Sequence, residues 1–161
     1  MVDTDALKIP KRRKPVKVWV HPDGLVLGSL FVHLQSAHRP GEEEPAEVLN
    51  GPEPFFVMEC GSARELRFYN KHSVVRMEYT LDEGPPGDYA VYLPARLHLM
   101  DGSNLEGVIR EMLDPQKARL FDYINIHEHR FVRLFLSDTE AALVNKAYIV
   151  RVTPDEPGPR D

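Results

Sequence analysis

The chain has 161 residues, 42% of them hydrophobic and 28% charged, with a formal net charge of −5. Those values suit one large or two small globular units with a real core, and a single cysteine excludes an intramolecular disulfide and a thiolate zinc site. No stretch approaches 18 uninterrupted apolar residues, so no membrane span is expected, and without an apolar segment behind the first charges a cytoplasmic location is the default.

The charge is unevenly spread. Residues 1–17 carry Lys8, Lys11, Arg12, Arg13, Lys14 and Lys17 against Asp3 and Asp5, or +4, which leaves −9 on the other 144. Residues 1–15 read as a disordered basic arm. In it Lys11, Arg12, Arg13 and Lys14 are candidate contacts for an acidic protein, and nucleic acid is a further possibility.

From Val16 the pattern turns to short strands: Val16–Val20, Val26–Leu34, Phe55–Glu59, Glu65–Tyr69 and Val74–Tyr79. After a Pro/Gly linker at 81–88 the scheme returns. "ARLHLM" alternates before the turn signal Asp101-Gly102, and "NLEGVIREML" has Gly107 where a bend or bulge is expected. "RFVRLFL", "AALV" and "YIVRV" follow, and "PQKARLFDYIN" has helical spacing. Shifted by 75 residues, Asn50–Met77 lies on Asn125–Val152 without a gap. Nine positions agree, among them Asn50/Asn125, Phe56/Phe131, Asn70/Asn145, Lys71/Lys146 and Arg76/Arg151. Chance would give roughly two. A tandem duplication predicts a mainly β protein of two five-stranded small β-barrels, each with a short helix between its second and third strands. The expected boundaries are 16–80 and 89–154, with a disordered tail at 155–161.

The pieces "LMDGSNLEGVI", "DYIN" and "LVNKAYIVRV" resemble the Sm-like branch of the SH3-like small barrels. In that family an Asn and a basic turn residue contact RNA. The resemblance therefore implies Asn125 and Lys146, with Asn50 and Lys71 as their counterparts, as an RNA surface. Read from the residues alone, Asn-Lys is a turn whose Asn takes a left-handed conformation and whose Lys faces solvent, and Asn50 and Asn125 end short helices. Arg76 and Arg151 are candidate phosphate contacts, or cross-strand partners of Glu65 and Glu140.

His127 and His129 fall on one side if extended, but no third ligand stands near them, so no metal or cofactor is expected. Cys60 reads as a buried or bland thiol. No phosphate loop, nucleophile elbow or distinctive carboxylate pair is present. The expectation is thus a non-enzymatic interaction protein, an adaptor or regulatory subunit with a protein partner. An RNA-binding protein is the alternative, and homo-oligomerisation stays open.

Overall fold

A computed structural model describes residues 11–37, 41–82 and 91–155. The strands are β1 (Lys11–Val20), β2 (Gly24–His33), β3 (Phe55–Cys60), β4 (Glu65–Asn70), β5 (Val74–Thr80), β6 (Val91–Leu99), β7 (Asn104–Glu111), β8 (Phe131–Phe135), β9 (Glu140–Asn145) and β10 (Ile149–Pro154). Helix α1 (Pro45–Leu49) lies between β2 and β3, and α2 (Leu120–Ile124) between β7 and β8. Glu44 and Glu47 form a capping box at the start of α1, whose first residue is Pro45.

The ten strands make one antiparallel sheet in the order β10-β6-β7-β8-β9-β5-β1-β2-β3-β4, and it does not close. Two separate five-stranded barrels are therefore not what the sequence builds. The duplication is nonetheless visible, because each half runs in the same internal order, its fifth strand beside its first and its fourth at the far end. The halves fuse where β5 pairs with β9, from Arg76 opposite Val144 to Thr80 opposite Glu140.

Side chains also cross this seam. The first core, around Val18, Leu30, Leu49, Met58, Val74 and Met77, takes in Phe131, Phe135, Ala141 and Leu143 from the second half. The second core, around Leu97, Leu99, Ile109, Tyr123, Val132, Leu134, Ala142 and Val144, receives Val75 from the first. A strand with an apolar core on each face should lack polar alternation, and β9 reads Glu-Ala-Ala-Leu-Val-Asn with five of its six residues buried. Its counterpart β4, Glu-Leu-Arg-Phe-Tyr-Asn, keeps the alternation of a strand with only one covered face.

The gapless repeat fails at one strand. Phe131 stands opposite Asn145, whereas in the first half it is Phe55 that stands opposite Asn70. The structural counterpart of Phe131 is therefore Phe55, and that of Val132 is Phe56, a shift of 76. A one-residue register change swaps the two faces of a strand, and here it is absorbed by a loop one residue longer before β8 than before β3 and by a β8 one residue shorter than β3.

Glycine is required where the second strand of each half passes its third. A Cβ on Gly28 would lie 2.7 Å from the Glu59 carbonyl oxygen, and one on Gly107 2.5 Å from that of Phe135. The β6–β7 turn has Gly102 at φ +88°, and Asp101 accepts from the Ser103 amide at 2.9 Å and its hydroxyl at 2.6 Å. Those bonds from Ser103 hold the Asp101 carboxyl below its usual range.

Lys11–Pro15, expected in the disordered arm, form the first half of β1. The acidic body pairs with three of their charges. Arg12 pairs with Glu42 at 2.6 Å and Asp82 at 2.8 Å, and Arg13 with Glu59 at 3.1 Å. Lys14 is buried, and its ammonium donates to the Thr80 carbonyl at 2.6 Å and to Asp82 at 2.9 Å. Residues 1–10, most of the linker and 156–161 of the tail lie outside the described residues.

Candidate functional site

Two of the recurrent asparagines, Asn145 and Asn50, reach across the seam. Asn145 is buried; its Oδ1 accepts from the Ala147 amide at 2.9 Å, while its Nδ2 donates to the carbonyls of Val74 at 2.9 Å and Lys71 at 3.3 Å. Asn50, at the end of α1, clasps the backbone of Phe131 from the other side. Its Oδ1 accepts from the Phe131 amide at 2.8 Å and its Nδ2 donates to the Phe131 carbonyl at 3.3 Å.

A charged cluster lies beside them. Arg133 of β8 meets Glu111 through two bonds of 3.0 Å, donated by Nε and Nη2, and its Nη1 donates to Glu44 of the first half. The buried Tyr123 hydroxyl reaches Glu111 at 3.4 Å. Burial pushes the phenols of Tyr79 and Tyr123 well above their ordinary ionisation.

These positions decide the fate of the sequence candidates. Lys71 and Lys146 do not face solvent from a turn tip. Lys71 is buried and donates to the Gly51 carbonyl at 3.1 Å, and Lys146, half-buried, does the same to Ile126 at 2.9 Å. Burial holds both ammonium groups below their usual value. The Asn-Lys turn is a one-turn 3₁₀ helix capped by an extended Asn, φ −72° at Asn70 and −68° at Asn145, so the left-handed Asn is not used.

Arg76 stacks 4.0 Å over Trp19 and sits 3.4 Å from Glu78 on its own strand, and Arg151 is exposed with no ion pair among the described residues; neither meets Glu65 or Glu140. Asn125 ends α2, exposed, with Nδ2 on the Phe121 carbonyl at 2.8 Å. His127 and His129 lie in the loop before β8, and among the described residues no group of three or more His, Cys, Asp or Glu is placed to hold a metal. Cys60 is buried, which pushes its thiol up.

What sequence reading missed is the pair of open edges. Along β3–β4 the side chains of Phe55, Leu66 and Phe68 are 52, 57 and 74% exposed. Their counterparts Phe131, Ala141 and Leu143 are all fully buried, because the first half covers them. The signal was present: the apolar run in β9 against alternation in β4 tells which copy of the fourth strand is covered. A shallow groove of about 340 Å³ on the seam, between Leu27 and the carboxylates of Glu78 and Glu140, is a separate feature.

No helix among the described residues is long and apolar enough to cross a membrane. No family model, curated protein or solved structure matches the chain.

Proposed function

We propose that the chain is a non-enzymatic protein-interaction module, an adaptor or regulatory subunit, and that it engages its partner along the open β4 edge. The observation that carries this reading is the row of Phe55, Leu66 and Phe68 beside a strand that pairs on one side only among the described residues. Proteins normally guard such an edge with charge, proline or a covering segment, and an exposed apolar row on it marks a docking surface. Strand addition supplies affinity through backbone bonds, and the alternate side chains supply selectivity.

The nucleic-acid reading attracts no comparable observation. Lys71, Lys146 and Asn50 spend their polar groups on backbone inside the fold, and Arg12, Arg13 and Lys14 are matched to carboxylates.

The test is affinity capture from lysate with the wild-type chain and with Phe68→Glu as baits, with and without ribonuclease. A ribonuclease-resistant partner lost from the Phe68→Glu bait is the expected result. Equal retention by both baits, or retention that ribonuclease abolishes, overturns the reading.

A further inference from the structure

We propose that the open β4 edge of one copy of this chain receives the β10 edge of a second copy, rebuilding between molecules the seam that β5 and β9 make within one. The inference rests on the reading of β4 as a docking edge and names its occupant.

The two end strands of the sheet are the counterparts of the two strands that meet in its middle: β4 corresponds to β9, and β10 to β5. Both ends show the deficit that a missing seam leaves. On the β4 side the deficit is Phe55, Leu66 and Phe68, described above. On the β10 side Ile149, Val152 and Ile124 are only half-buried, whereas their counterparts Val74, Met77 and Leu49 are fully buried. Val75 packs across the seam onto the second core, and its counterpart Val150 stands 58% exposed. Each edge thus offers the apolar surface that the other lacks.

The polar clasps have counterparts too. Asn70 already makes the local half of the Asn145 arrangement, its Oδ1 accepting from the His72 amide at 2.9 Å, and its amide NH₂ has no partner among the described residues. Transferred by the repeat, that NH₂ reaches the carbonyls of Lys146 and Ile149 in the second copy, and the second copy's Asn125, exchanging its bond to the Phe121 carbonyl, takes the Phe55 backbone as Asn50 takes that of Phe131. The β5–β9 register, transferred in the same way, sets Arg151 opposite Tyr69, Val152 opposite Phe68, Thr153 opposite Arg67 and Pro154 opposite Leu66. The Asp155 amide points inward to the Pro94 carbonyl at 3.1 Å, so position 154 faces the open edge, where proline offers no donor. The joint between molecules is therefore shorter than the internal seam, and it forms and dissolves with concentration. Because the two edges differ, the contact is head-to-tail and builds a ring or a filament rather than a two-fold dimer.

The test is sedimentation velocity and native mass spectrometry over a concentration series. The chains are the wild type, Phe68→Glu, Val150→Glu and an equimolar mixture of the two variants. Both sites are exposed, so thermal midpoints near that of the wild type are expected to show intact folding. The wild type should form concentration-dependent oligomers larger than a dimer. Each variant should weaken association by about 30-fold or more, the effect of losing one interface hot spot. The mixture should give a dimer and stop, because each variant retains the edge the other needs. A wild type that stays monomeric up to about millimolar concentration, above the range in which specific interfaces associate, overturns the proposal. Oligomers indifferent to both changes, or sensitive to Phe68→Glu alone, overturn it equally. If the wild type is monomeric while Phe68→Glu still loses a captured partner, β4 remains a docking edge and only the second copy is excluded as its occupant.

Discussion

The side chain of Asn145 donates to the carbonyl of Val74 across 2.9 Å, joining residues 71 positions apart from opposite halves of the chain. Its counterpart Asn70 has the same local cap but, at the end of the described sheet, no carbonyl of a neighbouring half to reach. Identical residues in identical turns thus do different work, depending on whether a neighbouring half is there.

The two asparagines should therefore respond differently to truncation. Asn145→Ala removes the cap and the donor to the Val74 carbonyl, while the Lys71 carbonyl keeps the Val74 amide, and is expected to cost about 2 kcal/mol, whereas Asn70→Ala removes only an exposed cap and costs about 0.5–1 kcal/mol. Urea unfolding of both variants checks this. Equal losses would mean that the contact across the seam contributes little beyond local turn geometry.

Arg133 joins the halves by charge, holding Glu111 of β7 and Glu44 ahead of α1. Its side chain is mostly buried, and both carboxylates keep some contact with water. Arg133→Met should destabilise by about 3 kcal/mol, the lower end of the range for orphaning a buried partner. Adding Glu111→Gln should cost much less than its single-variant effect, because the charge it removes has already lost its counter-ion. Strict additivity in this double-mutant cycle would contradict the paired geometry.

The element order was legible because each half repeats period-two strands, Asp-Gly turns and an Asn-ended helix, all of them local signals. What joins the halves was not. Whether β9 closes on its own half or pairs with β5 is decided by which apolar faces meet, and a local pattern is silent on that. Lys71 and Lys146 were misplaced for a related reason. A lysine in a turn is solvated unless a carbonyl inside the fold is in reach, and Gly51 and Ile126 lie 20 residues away from their lysines. The Phe56/Phe131 identity misled because one residue of slip leaves letters aligned and exchanges faces.

Burial shifts five titratable groups that bear on alkaline stability, and one of them, Cys60, raised above its ordinary 9.0, loses its contribution as pH climbs past that value. Burial lowers Lys71 and Lys146, so in the interval between their folded values and the ordinary 10.5 the unfolded chain binds more protons and stability rises with pH. Tyr79 and Tyr123 are raised above the ordinary 10.0. Their stabilisation is complete below that value and is lost as pH climbs past it, because only the unfolded chain releases those protons. The thermal midpoint should therefore rise through mildly alkaline pH and fall beyond about pH 10. Absorbance at 295 nm should show two of the six tyrosines ionising only as the chain unfolds. All six titrating together in a chain with intact ellipticity would contradict the burial of the pair.

The two strand-crossing glycines test how tightly each half is bent. At Gly107 an added methyl meets the Phe135 carbonyl oxygen at 2.5 Å and Leu134 Cγ at 2.8 Å, and neither the strand backbone nor a buried leucine has room to retreat. At Gly28 it meets the Glu59 carbonyl oxygen at 2.7 Å, but its next neighbours are the flexible end of Met58 at 2.9 Å and the Cys60 sulfur at 3.2 Å. Gly107→Ala should therefore cost more than Gly28→Ala, with both inside the roughly 1–3 kcal/mol of an overpacked core. Gly24, at φ +83° with nothing within 4 Å of a built Cβ, isolates the backbone contribution, about 1 kcal/mol on alanine substitution. Chemical denaturation of the three variants gives the order directly. A Gly107→Ala no less stable than Gly24→Ala would mean that β7 and β8 do not approach as closely as the sheet requires.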